Sequence, residues 1–296
     1  MNNDIKNIGL SIKTRLWNIA ADNKRDKNDN QIYQLIAIRY IQERLLYRLS
    51  RSRYCNKFCL KGGALLYAYD QFKARPTVDI DFLGTNINRD VDEIKSVFAE
   101  IASMDFPEDG ITFDTNSITA QEITVNREYH GVRLTMVAQI DTMTQPITMD
   151  IGFGDIVTPE PQTIDYPTLI EGLPAPTIYA YSLETVVAEK FEAMIALSVD
   201  NSRMKDFFDV YRILQSQRLD EQVLGQAIGA TFATRETQLV ETPALFTQEF
   251  AEDTQRDQYW KGFLKRIKWK EDLDFHEVCT FIVNKLKPYY DRLNGK

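Results

Sequence analysis

Two short stretches, Phe58-Cys59-Leu60-Lys61-Gly62-Gly63-Ala64-Leu65-Leu66 and Val78-Asp79-Ile80-Asp81-Phe82-Leu83, decide how this chain is read. The first is an apolar run that stops at a glycine pair and continues into good helix formers, which predicts strand, glycine turn and helix. The second follows the Pro76-Thr77 break and alternates apolar and acidic residues in period two. It predicts a strand with both carboxylates on one face and Val78, Ile80 and Phe82 on the other. A glycine pair alone is also an ordinary tight turn, and an Asp-x-Asp alone is also an ordinary solvated strand edge. Their combination, with fifteen residues between Gly63 and Asp79, is more specific. Glycines before a helix let backbone N–H groups approach a phosphate. Two neighbouring carboxylates repel unless a cation lies between them, and Mg²⁺ bound by carboxylates and substrate phosphates meets that need. A third carboxylate on a neighbouring strand would complete a two-metal site, and Asp150, ending the apolar strand Met149-Asp150-Ile151 before a glycine, has the right setting. A triphosphate cradle, a metal pair and an activated hydroxyl imply nucleotidyl transfer.

Working outward, Asp29 to Leu49 carries apolar residues at helical spacing, and Arg89 to Ser103 also reads as helix. Ile111–Phe113, Ile118–Val125, Val132–Ile140 and Ile147–Phe153 are β-branched and alternating, as sheet strands are. Five of the ten prolines fall between Pro159 and Pro176, a candidate domain boundary or extended connection. Ser182 then opens an imperfect capping box, with Glu184 or Thr185 as reciprocal partner, before a helix to about Ala196 and a second over Met204–Leu214. The remainder reads as helical. The expected fold is α+β: a mixed-sheet domain over residues 1–175 followed by a helical domain over 176–296.

The chain has 296 residues, 44% hydrophobic and 26% charged, enough for a packed core and against wholesale disorder. Its 35 basic and 43 acidic residues give a formal charge of −8, so any nucleic-acid surface has to be local. Such a contrast exists. Between Arg39 and Arg75 nine basic residues face two acidic ones, Glu43 and Asp70, and a second basic cluster runs over Lys261, Lys265, Arg266, Lys268 and Lys270. These patches suit a phosphate backbone, or merely balance nearby acidic helices. Cys55, Cys59 and Cys279 are too few for a disulfide framework, and the spacing of the first two suits neither a zinc knuckle nor a thioredoxin pair. His130 and His276 lack partners at ligand spacing, which argues against a zinc site or a Ser-His hydrolase. The aromatic spacing fits core positions rather than a base-stacking platform. The first twenty residues have no apolar h-region and no stretch is long enough to span a bilayer, so a cytoplasmic protein without membrane association is expected.

The two opening stretches, joined by Arg75-Pro76-Thr77, resemble the AbiEii/AbiGii-type nucleotidyltransferases of the DNA polymerase β-like superfamily. That family includes toxins of type IV toxin–antitoxin and abortive-infection systems. The resemblance continues through Met149-Asp150-Ile151 with Gly154-Asp155, then Glu184 and Glu189-Lys190-Phe191, to Lys205-Asp206-Phe207-Phe208-Asp209-Val210, and so spans about residues 30 to 215. It implies a polymerase β-like domain in which Gly62 and Gly63 hold the triphosphate of an NTP through backbone amides. The family often has Ser at the second glycine position, so a hydroxyl contact is missing here. By the same resemblance Asp79, Asp81 and Asp150 bind two Mg²⁺ ions, Asp150 as ligand or base, and Arg75 contacts phosphate or acceptor. Lys190 neutralises phosphate charge, and Asp209, beside Asp206, completes the last motif in the cleft. Asp155 matches a frequent acidic position without an assigned role. The implied acceptor is the 3′ end of tRNA, and the implied partner a cognate antitoxin. A protein or small-molecule acceptor, or a non-catalytic nucleotide-binding module, are the other readings that the residues leave open.

Overall fold

The structure, a computed structural model, describes residues 7–23, 32–126, 129–155 and 157–295. The expected helix onset at 29–31, the first six residues and the side chain of His130 lie outside the described residues. The chain forms two compact units. One comprises Met1–Gly154 with Gln162–Ala180, the other Asp155–Pro161 with Tyr181–Lys296.

The first unit holds helices α1 (Ile8–Asp22), α2 (Ile32–Arg51), α3 (Gly62–Asp70) and α4 (Val91–Ala102). Its strands are β1 (Phe58–Lys61), β2 (Asp79–Gly84), β3 (Ile111–Asn126), β4 (Tyr129–Ile140), β5 (Met143–Phe153), β6 (Gln162–Asp165) and β7 (Thr177–Ala180). They form a mixed sheet in the order β3-β4-β5-β2-β1-β7-β6, in which β2 runs parallel to β5 and β1 parallel to β7. The α+β expectation holds. Ile111–Phe113 and Ile118–Val125 belong to one long strand whose register shifts between Asp114 and Thr119. The proline-rich stretch is more than a connection, because it contains β6, which pairs with β7 at the sheet's end.

Alternation places the core. On one face of the sheet Ile80, Phe82, Leu134, Met149 and Ile151 are buried, and Phe98 of α4 packs edge-on against Phe58 at 5.0 Å. Val78, expected among them, is 50% exposed instead. It precedes the first paired residue of β2, so the pleat does not turn it inward, and its carbonyl accepts a hydrogen bond from Gln42.

Helix α2 is buried almost all round, and its polar residues go inside with it. Arg39, Arg44 and Arg48, three of the nine basic residues expected to make a phosphate-facing patch, are 6%, 0% and 2% exposed. That part of the patch does not exist on the surface. Arg48 pairs with Asp109 at 2.6 Å and also donates to the carbonyl of Met104. Arg44 donates to the carbonyl of Pro174 and lies 2.7 Å from Glu43, while Arg39 stacks on the Tyr67 ring at 4.1 Å. Burial of this kind is tolerated only because each charge meets carbonyls or an opposite charge.

The second unit contains α5 (Leu183–Leu197), α6 (Met204–Ser216), α7 (Glu221–Thr234), α8 (Gln248–Ala251), α9 (Thr254–Arg266) and α10 (Phe275–Leu293). Ser182 caps α5 by accepting from the Thr185 amide at 3.1 Å, but Glu184 does not close the box; it accepts from the Asp220 amide instead. The apolar centre gathers Phe207, Phe208, Trp260, Phe263 and Phe275. Among the described residues no helix is long and apolar enough to cross a membrane.

Glu43 supplies a test of this packing. Burial pushes its carboxyl up to about 7, against the opposing pull of Arg44 and of the Leu169 amide that it accepts at 2.7 Å. The native state therefore holds a proton that the unfolded chain releases near pH 4.5, so stability falls as pH rises from there through about 7. Thermal melts across that window are expected to show this decline in the wild type and a flatter profile in Glu43→Gln.

Candidate active site

Register brings the predicted residues together. β2 lies on β5 with Asp79 opposite Thr148 and Asp81 opposite Asp150. A slip of one residue would set Asp150 against Ile80 and turn apolar side chains to solvent, so burial of the opposite face holds the two carboxylates in register. On the other side Lys61 of β1 stands opposite Asp81, and Arg133 of β4 stands opposite Asp150. One row across four strands thus reads Lys61, Asp81, Asp150, Arg133, with Asp79 one step along the same face.

The glycine turn abuts this row. Gly62 has φ +68°, and a Cβ built there would fall 2.0 Å from Oδ2 of Asp81. Only glycine serves both the left-handed backbone and the close approach. Lys61 caps α3 without a side-chain hydrogen bond to its first turn, so the positive end of the helix lies beside the Asp81 carboxylate. At Gly63 the space a side chain would need is held by Thr77, whose Oγ1 lies 2.9 Å from the built Cβ position. Arg75 lies half-buried in the connection leading into β2.

Arg133 carried no signal in the sequence, where it is one arginine in a β-branched strand. In the structure its Nε and Nη2 each donate at 2.7 Å to the two oxygens of Asp150. That hydrogen bonding, with the charges of Asp150, Asp79 and Asp81, holds its pKa above the ordinary arginine value. The three carboxylates therefore act on one guanidinium.

Asp79, Asp81 and Asp150 offer hard oxygen donors from one face of the sheet, the donor chemistry Mg²⁺ prefers. Asp81 also sits in a cradle that a side chain at position 62 would fill. These residues fit a divalent cation. Among the described residues, however, no group of three or more His, Cys, Asp or Glu is gathered as a ready metal site. Both oxygens of Asp150 accept from Arg133.

In the helical unit Lys190 of α5 meets Asp206 at 2.6 Å and Asp209 at 2.9 Å, both on α6, and Arg203 meets Asp206 at 2.7 Å. Asp206 is buried, which by itself raises its pKa, but Lys190 and Arg203 outweigh burial and hold it below the ordinary value. Asp155 belongs to a separate cluster around Arg235, which lies 2.7 Å from Glu192, 3.3 Å from Glu189 and 3.4 Å from Asp155. Arg235 had no motif to announce it either. Its carboxylates overcome the effect of burial and keep it protonated.

Residues 44–281 match the family described as "Nucleotidyl transferase AbiEii toxin, Type IV TA system". The chain belongs to this family. The AbiEii match takes in the glycine turn, all three sheet carboxylates and the Lys190–Asp209 pair. No curated protein sequence matches the chain. Two solved structures are similar to this AbiEii chain, "Crystal structure of JHP933 from Helicobacter pylori" and "Crystal structure of putative nucleotidyltransferase from H. pylori". Each is 14% identical, has a TM-score of 0.47 and covers 88% of this chain, and the alignments cover 94% and 97% of those chains.

The contact at the turn generates a prediction. Gly62→Ala should lose at least about 1–2 kcal/mol from the left-handed backbone alone and should force Asp81 out of its place. Chemical denaturation measures the first effect. A crystal structure of the variant should show the second as a rotated Asp81 side chain.

Proposed function

We propose that this AbiEii-family protein is a Mg²⁺-dependent nucleotidyltransferase, the toxin of a toxin–antitoxin pair, that transfers NMP from an NTP to the 3′ end of tRNA. The observation that carries the reading is the register of β2 on β5, which sets Asp81 beside Asp150 on the face that also bears Asp79, against the Gly62 turn. In this reading the backbone amides of Gly62 and Gly63 hold the triphosphate, and Arg75 adds a charge to it. Mg²⁺ held by Asp79, Asp81 and Asp150 supplies neutralisation of phosphate charge and a lowered pKa at the acceptor hydroxyl. The acceptor oxygen bonds to the α-phosphorus, the bond to the β-phosphate bridging oxygen breaks, and pyrophosphate leaves. Asp150 takes the hydroxyl proton at a carboxylate oxygen. Lys190, with Asp209 as its partner, supports the rate of turnover. A cognate antitoxin is the expected protein partner.

The tRNA acceptor rests on the family resemblance and on the exposed basic residues Lys265, Arg266, Lys268 and Lys270. The burial of Arg39, Arg44 and Arg48 removes part of the surface expected to hold RNA, and this favours a second reading in which a protein hydroxyl or a small molecule is the acceptor. The two differ in salt dependence, since release of counterions from RNA phosphates weakens binding steeply as salt rises.

Purified protein incubated with Mg²⁺, total tRNA and each α-labelled NTP in turn should label tRNA with at least one nucleotide. Asp79→Asn and Asp81→Asn should abolish labelling while leaving the melting transition in place, and Lys190→Ala should lower the rate. Full activity in either aspartate variant rejects the metal-site reading. Wild-type labelling of an added protein or small-molecule fraction in place of tRNA moves the assignment to the second acceptor class.

A further inference from the structure

We propose that Arg133 is a resident counter-ion for Asp150, exchanged for a divalent cation when the site is loaded, and that it sets how weakly the free protein binds metal. The inference rests on the metal-dependent reading above and names a positioning residue within it.

The row Lys61, Asp81, Asp150, Arg133 carries two positive and two negative charges across adjacent strands. Strand spacing of about 4.8 Å places Asp81 and Asp150 close enough to repel each other. A positive charge on Asp150 relieves that repulsion in the metal-free protein. Arg133 provides it in the strongest form available, a bidentate pair with both distances at 2.7 Å. As long as that pair stands, one lone pair on each oxygen of Asp150 is taken and a positive charge lies against the carboxylate where a cation would approach.

Exposure separates this pair from the structural ion pairs of the same unit. The Arg48–Asp109 side chains are 2% and 1% exposed, and breaking that pair would strand two buried charges. Arg133 is 42% exposed and Asp150 19%. A guanidinium leaving Asp150 is received by water, so the exchange costs little beyond the pair itself. The sheet also leaves it room. One row along the same face, Gly131 stands opposite Gly152, and a Cβ built on Gly152 meets nothing nearer than the Phe82 carbonyl oxygen at 3.9 Å. Neither of these two facing glycines places a side chain beside Arg133. On the other flank the row runs Thr135, Thr148 and Asp79, so the next charge along the face is a carboxylate that also acts on Arg133 and does not compete for Asp150.

The test is Mn²⁺ binding to the full-length protein without nucleotide, followed by electron paramagnetic resonance of the free ion. Arg133→Gln should bind Mn²⁺ about tenfold tighter than wild type or more, because the cation no longer displaces a charged hydrogen-bonding partner. Arg133→Lys, which keeps the charge but not the bidentate geometry, should fall between them. The gain should vanish in the Asp150→Asn background. Thermal melts give a second readout: Arg133→Gln should melt below wild type in EDTA, and saturating Mn²⁺ should close most of that gap. Wild-type affinity in Arg133→Gln, a gain that persists with Asp150→Asn, or an equal melting deficit with and without Mn²⁺ overturns the inference and leaves Arg133 a structural residue. Failure of wild type and all Arg133 variants to bind Mn²⁺ overturns it together with the metal-dependent reading. Mn²⁺ binding by the wild type that is lost in Asp79→Asn but unchanged in Arg133→Gln overturns this inference alone.

Discussion

The parallel register of β2 on β5 is the constraint on which the site depends. Two strands far apart in the chain share one buried face, and the burial of Ile80, Phe82, Met149 and Ile151 leaves no freedom in how they align. Asp81 and Asp150 are consequently neighbours whatever their mutual repulsion. The rest of the site answers that repulsion: Lys61 from one side, Arg133 from the other, and the N-terminal end of α3 brought against Asp81 by a turn that only glycine can make. The apolar face fixes the geometry, and the polar face manages the electrostatic consequence.

The same chain uses ion pairs for two different ends, and burial distinguishes them. Around α2, Arg48–Asp109 and Arg44–Glu43 are internal fastenings that tie the segments near 104–111 and 169–174 to one helix. Their desolvation is severe, as the raised Glu43 carboxyl shows, and they hold because each partner is also bonded to backbone. Arg133–Asp150 sits at the surface of the sheet, where water can replace either partner. A fastening and an exchangeable placeholder have the same chemistry and differ in what replaces the partner when it leaves.

The helical unit repeats the theme of shared charge. Lys190 is held between two carboxylates of α6, and Arg235 among three from the 155–161 segment and α5. The first of these clusters could be anticipated from motif order, since Lys190, Asp206 and Asp209 fall on two consecutive helices. The second could not. Arg235 comes at the end of α7 with no pattern around it, and its partners lie 43, 46 and 80 residues away in the chain.

The kinds of element and the residue types of the candidate site were legible in the chain. Period-two alternation marked β2 and β5, the glycine pair marked the turn into α3, and Asp79 and Asp81 marked one strand face as acidic. These are local properties, written in residues a few positions apart. Which side chains those residues meet followed from the packing of the whole fold. It took Arg39, Arg44 and Arg48 out of an expected surface patch, because a helix enclosed on all sides buries even its arginines if carbonyls and carboxylates await them. It left Val78 exposed, because the pleat begins one residue later. It put Arg133 on Asp150 across a strand pair 17 residues apart in the chain. Partners of this kind depend on register and packing direction, which arise from the whole apolar core at once and leave no local mark on the chain.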